Sequence, residues 1–328
     1  MTAHAGETKT VLVIGNGKAA IDFVEILRGF VPATPSDTAA RLGLVLVDGS
    51  NTDPWTTSLS EHCQRHGISH LTSNRFNASE IVEAVRAVKP VLAFSVNNHQ
   101  ILRPEFLALP REGVVNFHNS PLPRYGGLNA CTWALVNGER EHGVTLHYLD
   151  QGVDTGDIIG QTRFPIGDEM TALQLIMRCL QEGAQLFRRM LPEILNGTVQ
   201  RTAQDGGQRS FYKKREIPND GRADFSWPYR KLHDFVRGLN FHPLQNPLAY
   251  PRAEFRGRPF YLDRIGWVES SVRHPPGTVV EAAGGRLCVQ VQDAVVRLLQ
   301  VRDEGQNRVP VATLMERFGI EAGTEMAA

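Results

Sequence analysis

Two polar side chains near the middle of the chain have the types and spacing needed for proton transfer. Asn116 and His118 follow the apolar run that begins at Gly113, which predicts a short buried strand. Residues two apart on a strand point to the same face, so the amide and the imidazole project together. Pro121 and Pro123 end the strand. An amide can donate to an oxygen that gains charge, and an imidazole exchanges protons near neutral pH.

A carboxylate further along the chain can complete this set. A second strand is predicted over Val144 to Leu149, and Asp154 lies in the glycine-bounded loop after it. Together the three groups suit attack by an amine or by water on an acyl carbon that an activated donor delivers. The alternative for an Asn-x-His next to prolines is a hydrogen-bonded strand end with a purely structural role.

The stretch from Asn116 to Asp157 resembles the signature of the formyltransferases that use 10-formyltetrahydrofolate. The matching residues are Asn116, His118, Ser120-Pro-Leu-Pro123, Gly126-Gly127, Gly143-Val-Thr145 and Asp154-Thr-Gly-Asp157. The resemblance implies that Asn116 stabilises the tetrahedral oxyanion, that His118 transfers the proton and that Asp154 supports His118. The chain departs from the family at Asn119 and Pro121, where many members have Pro before the serine and Leu after it.

The same resemblance implies a folate site and makes 10-formyltetrahydrofolate the expected co-substrate. In the family, the loop after the predicted strand Val91 to Val96 and the loop before Asp154 hold the pterin. By position, these contacts fall to His99, Gln100, Ile101 and Leu102, and to Leu149, Asp150, Gln151, Gly152 and Val153. For His99, helix capping or simple exposure is the alternative.

The first half of the chain predicts an α/β fold. Thr10 to Ile14 reads as a strand, and Gly15-Asn16-Gly17 then leads into a helix that starts at Lys18. Further strands and helices alternate up to Val96, which indicates a Rossmann-like, mainly parallel sheet. The helix start with Lys18 could receive a phosphate, or the glycine turn is simply the first connection of the fold.

The second half predicts a smaller, β-rich domain. Composition changes after Thr202, Gln204 to Gly207 reads as a linker, and short strands with glycine turns follow. We expect a catalytic domain over residues 1–205 and a β-barrel-like (OB-like) domain over 206–328. This half resembles the domain that follows the catalytic domain in methionyl-tRNA formyltransferase and some sugar formyltransferases. We expect no fixed structure after Gly323.

Composition excludes several broad classes of protein. The 328 residues carry no formal net charge, which argues against a general binder of nucleic acid or of membrane surfaces. Residues 1–10 lack the apolar core of a signal peptide and no run has membrane-spanning length, so we expect a cytoplasmic protein. Histidines and the cysteines show no metal-ligand spacing, so no metal is predicted; the cysteines are Cys63, Cys131, Cys179 and Cys288.

The amine that accepts the formyl group is the open question. Lys213-Lys-Arg215 is the one compact basic run, and residues 31–40 contain no basic residue. This favours a small or carrier-bound amine over tRNA: an amino acid, a peptide-biosynthesis intermediate or an aminosugar nucleotide. The residues Asn97 to Gln100 and Leu128 to Ala130 look most like formylation modules of peptide assembly. Methionyl-tRNA formylation, hydrolysis of the formyl-folate, and a folate- or nucleotide-binding module without catalysis remain the alternatives.

Overall fold

The computed structural model describes residues 8–34, 37–51 and 57–326, which form two compact units. The first unit comprises the chain up to Leu128 together with Gly143–Phe164 and Met177–Tyr212. The second comprises Asn129–His142, Pro165–Ile176 and the residues from Lys213 onward. The functional division between residues 1–205 and 206–328 stays a prediction.

The first unit is built on a seven-stranded sheet. Its strands lie in the order β3-β2-β1-β4-β5-β7-β8, and the short strands β6 and β9 pair separately. Their bounds are β1 Thr8–Gly15, β2 Ala39–Asp48, β3 His70–Ser73, β4 Leu92–Val96, β5 Val114–His118, β6 Gly126–Gly127, β7 Glu141–Tyr148, β8 Ile158–Pro165 and β9 Phe211–Tyr212. The strands from β3 to β5 pair in parallel, and β7 runs antiparallel to β5. The predicted mainly parallel sheet is confirmed.

Helices connect these strands, as the alternating pattern predicts. Their bounds are α1 Gly17–Arg28, α2 Leu59–Arg65, α3 Ser79–Val88, α4 Pro104–Leu107, α5 Ala130–Val136 and α6 Ala172–Asn196. The apolar residues of β1, from Val11 to Ile14, are completely buried, which fits a strand covered on both faces. The stretch over residues 31–40, which contains no basic residue, includes positions 35 and 36, which lie outside the described residues, and its last two residues begin β2.

A cluster of phenylalanine rings packs α6 against the sheet. Phe23 stacks on Phe187 with ring centroids 3.9 Å apart, and Phe117 of β5 lies 5.7 Å from Phe23. Gly183 of α6 faces the Phe117 ring so closely that a methyl group on it would lie 2.3 Å from two ring carbons. A glycine is therefore required for α6 to approach β5, the strand that carries Asn116 and His118.

The second unit contains an antiparallel sheet of six strands. The path is β10-β11-β14-β13-β12, with β15 paired to β14. The elements are β10 Arg252–Phe255, β11 Arg258–Val268, β12 Val279–Ala283, β13 Arg286–Gln290, β14 Val295–Arg302, β15 Arg308–Val309, α7 Tyr229–Gly238 and α8 Val311–Phe318. Phe235, Phe260 and Leu314 belong to its apolar core. The expected β-rich fold of this half is confirmed.

The expectation of an unstructured tail after Gly323 is wrong for the residues described there. The Gly323 N–H donates to the Val279 carbonyl at 2.8 Å, and the Met326 N–H donates to the Gly277 carbonyl at 2.9 Å. The Met326 side chain is buried in the core of the second unit. Backbone hydrogen bonds and the buried Met326 side chain therefore hold this segment against β12. The local sequence does not predict this contact.

Two further features concern membrane-spanning helices and the cysteines. Among the helices of the described chain, none combines the length and the apolar character needed to cross a bilayer. The four cysteines are all buried, and none of them forms a disulfide bond.

Replacing Gly183 by alanine tests the close approach of α6 to β5. Alanine favours helix, yet its methyl group would collide with the Phe117 ring, so we expect a loss of about 1–3 kcal/mol in the free energy of unfolding. Urea denaturation measures the loss. Gln185→Ala on the exposed face of the same helix is the control and should change stability little. A stabilised Gly183→Ala variant would contradict the packing argument.

Candidate active site

The structure places Asn116, His118 and Asp154 together in the first unit. Asn116 and His118 lie half-buried on β5, and Asp154 lies buried in the loop between β7 and β8. His118 Nδ1 is 3.7 Å from Asp154 Oδ2. This distance is too long for a direct hydrogen bond, but it is short enough for the carboxylate to stabilise a positive charge on the ring.

One ring nitrogen of His118 is held by the backbone. Its Nε2 lies 2.9 Å from the Tyr125 carbonyl oxygen. A carbonyl oxygen only accepts, so Nε2 carries a hydrogen and donates it. The nitrogen that can exchange a proton is therefore Nδ1, on the side that faces Asp154.

The turn that supplies the Tyr125 carbonyl is itself tightly bonded. Thr145 Oγ1 on β7 donates to the Ser120 carbonyl at 2.7 Å, and Ser120 Oγ donates to the Arg124 carbonyl at 2.8 Å. Gln161 Nε2 on β8 donates to the Leu122 carbonyl at 2.9 Å. These bonds tie the turn to the sheet, so the two departures from the family pattern, Asn119 and Pro121, lie in a well-held segment.

Asp154 is a buried charge with several partners. Oδ2 accepts the Gly127 N–H at 2.7 Å, and the residue adopts a left-handed backbone conformation with φ of 55°. Burial by itself would raise its pKa, but the neighbouring His118 and the Gly127 N–H outweigh burial. The pKa of Asp154 therefore lies well below its usual range, and the group stays ionised at neutral pH.

His147 is a member of the site that the sequence reasoning missed. It is fully buried on β7, directly opposite Asn116 of β5. Its Nδ1 lies 2.9 Å from the Tyr148 carbonyl, which makes Nδ1 the donor and leaves Nε2 to accept from Asn116 Nδ2 at 3.1 Å. This bond points the nitrogen of the Asn116 amide toward His147. A histidine in the predicted strand over 144–149 was visible in the sequence, but the antiparallel register that brings it to Asn116 was not.

The second N–H of Asn116 is available for another partner. Among the described residues, the bond to His147 is the one that this amide makes. A primary amide carries two donor hydrogens on its nitrogen. The free hydrogen can donate to an oxygen that becomes negative in a transition state.

The loop after β4 is anchored by a second buried carboxylate, Asp48. It accepts the His99 N–H at 2.8 Å and the Gln100 Nε2 at 2.7 Å, together with the backbone N–H and hydroxyl of Ser50. Burial opposes the charge of Asp48, but these donors outweigh it and lower its pKa. Gln100 also bonds Ser73 and, through its oxygen, the Phe76 N–H. The Gln100 side chain is thus occupied in holding the loop.

The other residues assigned to the folate site fall into two groups. Ile101 is 66% exposed and Val153 39% exposed, so each presents an apolar side chain to solvent. Gln151 and Gly152 are exposed as well, and Asp150 accepts the Gly152 N–H at 2.9 Å. Leu102, by contrast, is buried in the core, and Leu149 packs against that same core.

At the first glycine turn, the Asn16 side chain bonds the backbone N–H groups at the start of the helix. Asn16 Oδ1 accepts the Gly17 N–H at 2.8 Å and the Leu59 N–H at 3.2 Å, so it caps the first helix and ties it to the second. Lys18 pairs with Asp22 on the same helix. These contacts support the reading of this turn as a connection in the fold, and phosphate binding there stays an untested hypothesis.

The fold and the grouping of Asn116, His118 and Asp154 are those of an α/β enzyme of acyl transfer. Residues 7–191 match the family described as formyl transferase, and residues 217–319 match the formyl transferase C-terminal domain. The chain belongs to the formyl transferase family, whose enzymes take the formyl group from 10-formyltetrahydrofolate. The family, the enzyme class and the donor inferred from the sequence are confirmed.

Curated relatives and solved structures agree with this assignment. The chain is 32% identical over 240 residues to a methionyl-tRNA formyltransferase from Solibacter usitatus, covering 73% of this chain and 74% of that protein. A relative with the same description from Pelobacter propionicus is 32% identical over 259 residues, covering 79% and 78%.

Solved structures share the fold at lower identity. The N-formyltransferase from Helicobacter canadensis, in complex with folinic acid and dTDP-3-aminofucose, superposes with a TM-score of 0.67 at 21% identity, covering 88% of this chain and 98% of that one. A 4-N formyltransferase from Francisella tularensis gives a TM-score of 0.59 at 17% identity, covering 74% and 91%.

Replacing His147 tests whether it orients the Asn116 amide. His147→Phe removes the acceptor while filling the space, so the amide loses its direction. We expect kcat for formyl transfer to fall at least about tenfold, because one well-placed oxyanion donor contributes roughly a hundredfold or more. His147→Gln restores an acceptor oxygen and should recover part of kcat. Equal losses in both variants, with normal unfolding transitions, would refute the orienting role.

The low pKa of Asp154 predicts a pH-dependent loss of stability. A carboxyl group with a depressed pKa stabilises the fold above its unfolded pKa, near 4, and this contribution disappears as pH falls through the folded value. Asp154→Asn should therefore lower the free energy of unfolding by about 1–3 kcal/mol at pH 7, and the gap should narrow below about pH 4. Urea denaturation at several pH values measures it. Asp150→Asn, exposed in the same loop, should show no such gap.

Proposed function

We propose that the chain is an N-formyltransferase that moves a formyl group from 10-formyltetrahydrofolate to the amine of a small or carrier-bound acceptor. The observation that carries the proposal is the grouping of a buried, ionised Asp154 with His118 and with an Asn116 amide that keeps one donor hydrogen. These groups supply oxyanion stabilisation and proton transfer.

In the first step, the neutral amine of the acceptor attacks the formyl carbon. A carbon–nitrogen bond forms, and the carbonyl electrons move to oxygen, which becomes an oxyanion. The free N–H of Asn116 donates to this oxygen, and His147 keeps the amide turned for that purpose. The donor is already in place before the charge develops, so little reorganisation is needed.

In the second step, the proton of the attacking amine is passed to the folate nitrogen. His118 takes the proton at Nδ1, and Asp154 stabilises the positive ring across a gap of 3.7 Å. The bond from carbon to the folate nitrogen then breaks, and the same proton ends on that nitrogen. The formyl group leaves on the acceptor, and tetrahydrofolate is released with no change in redox state.

The folate donor is proposed to lie against the two loops at 97–102 and 149–153. Ile101 and Val153 expose apolar side chains there, which suits contact with a flat ring system. Asp48 and Gln100 hold the first loop from behind. We therefore assign Gln100 a supporting role within the folate site and direct contacts to Ile101, Val153 and nearby main-chain groups.

The acceptor class is proposed from charge. The chain carries no formal net charge, whereas a protein that binds tRNA through its phosphates benefits from a basic surface. An amino acid, a carrier-bound peptide intermediate or an aminosugar nucleotide makes no such demand. The Helicobacter canadensis relative, in complex with an aminosugar nucleotide, supports this range.

Methionyl-tRNA formylation is the second candidate, and two observations favour it. The curated relatives that cover most of the chain carry that name. Lys213, Lys214 and Arg215 are exposed, so they can reach a phosphate backbone. If tRNA is the acceptor, affinity will fall steeply with salt concentration, and replacing all three residues by alanine will reduce the slope of that dependence. Small acceptors would show neither effect.

The deciding experiment follows the absorbance of 10-formyltetrahydrofolate during single turnover. The purified protein is tested alone, then with amino acids, aminosugar nucleotides, aminoacyl carriers and methionyl-tRNA in separate reactions. Consumption with one of the first three classes, and a product heavier by one formyl group, supports the proposal. Consumption with methionyl-tRNA alone supports the second candidate, and formate release without any amine indicates hydrolysis by the same three groups.

Substitution of the two β5 residues tests their roles directly. Asn116→Ala should lower kcat by about a hundredfold or more, and His118→Ala should lower it by roughly 10²–10⁴-fold, with both proteins folded. His66→Ala, at an exposed position in the first unit, is the matched control and should retain full turnover. Near-normal turnover in either β5 variant would remove that residue from the mechanism.

A further inference from the structure

The segment over residues 202–212, which we call the strap, is bonded to both loops that form the catalytic site. The sequence around Gln204 reads as an interdomain linker, but the structure places the whole strap within the first unit. Thr202 pairs with Ile158 through two backbone hydrogen bonds of 2.8 and 2.9 Å. The strap therefore starts against β8, directly after the loop that carries Asp154.

The Gln204 side chain donates hydrogen bonds to the backbone of the loop that carries Asp154. Its Nε2 donates to the Asp154 carbonyl at 3.0 Å and to the Gly156 carbonyl at 2.7 Å. Both hydrogens of one amide are thus spent on two carbonyls of the same loop. Arg209 adds a third bond, from Nη2 to the Val153 carbonyl at 3.0 Å.

The C-terminal end of the strap is hydrogen-bonded to the turn after β5, whose Tyr125 carbonyl accepts from His118. Ser210 Oγ accepts the Tyr125 N–H at 2.8 Å, and the Gly126 N–H donates to the Ser210 carbonyl at 2.9 Å. β9 then pairs with β6, where a side chain on Gly127 would lie 2.2 Å from the Tyr212 carbonyl oxygen. Tyr125 therefore links the strap to His118. Its N–H donates to Ser210 of the strap, and its carbonyl accepts from His118.

Asp154 holds a backbone conformation that a residue with a side chain does not prefer. Its φ of 55° lies in the left-handed region, which costs energy for a residue with a side chain, although Asp tolerates it better than most. Bonds to the carbonyls at 154 and 156 restrain the loop on either side of that strained position. Without them, the loop can relax and the carboxylate can move away from His118.

We propose that the strap positions the catalytic pair, and that Gln204 is the positioning residue that keeps Asp154 at its distance from His118. Gln204 acts through the backbone of the loop and need not touch either substrate. The proposal rests on the role of Asp154 in the proposed formyl transfer. Because a displacement of about 1 Å can cost a hundredfold in rate, removal of Gln204 should lower kcat by about tenfold to a hundredfold.

The test compares two glutamines of the strap. Gln204→Leu removes both bonds to the loop. Gln208→Leu makes the same chemical change at an exposed residue whose Nε2 bonds Asp205 of the strap itself. We expect Gln204→Leu to lower kcat with KM for 10-formyltetrahydrofolate nearly unchanged, and Gln208→Leu to keep both constants. Gln204→Glu, which keeps the shape but cannot donate when ionised, should match Gln204→Leu and serves if the leucine variant does not fold.

A double-mutant cycle separates positioning from general damage. In an Asp154→Asn background, where the carboxylate is already gone, Gln204→Leu should cost much less than in the parent enzyme. The same fold-loss in both backgrounds would overturn the positioning role, and so would normal kcat in both Gln204 variants. If Asp154→Asn itself leaves kcat unchanged, the proposed mechanism fails instead, so the two failures are distinguishable.

Discussion

A buried carboxylate that must stay ionised is the constraint on which the catalytic unit depends. Taking a charge such as that of Asp154 out of water costs several kcal/mol unless donors or positive charge surround it. Here the Gly127 N–H and His118 provide that compensation. Each of these partners must be brought to one place from a different part of the chain, and the turn after β5, the register of β7 and the strap all contribute to this.

The strand topology places the start of the Asp154 loop far from His118. The Leu149 N–H donates to the Val114 carbonyl, so the Asp154 loop begins beside the first residue of β5. His118 is the last residue of that strand, about 13 Å further along at 3.3 Å per residue. The loop must therefore fold back over the sheet to bring Asp154 to His118. The left-handed conformation at Asp154 and the bonds from Gln204 both lie on this return path.

Local sequence patterns predict where strands and helices lie, but they do not predict which strands pair or in which register. Apolar runs and proline stops locate β4 and β5, the glycine turn at Gly15 to Gly17 marks the start of α1, and the polar residues Asn116, His118 and Asp154 stand out by type and spacing. His147 was missed because its role depends on β7 running antiparallel in register with β5. Gln204 read as part of a linker, since its two bonds reach a loop about 50 positions earlier in the chain. Contacts of this kind depend on tertiary register, which no local period encodes.

Two buried carboxylates in one unit show how neighbours decide what an acid group does. Asp48 is surrounded by donors that do not titrate near neutral pH, from Ser50, His99 N–H and Gln100, so it can only hold the loop in place. Asp154 faces the imidazole ring of His118, so in the proposed mechanism its charge is coupled to a proton that can move. The same functional group thus anchors the loop after β4 at one site and, in the proposed mechanism, supports proton transfer at the other.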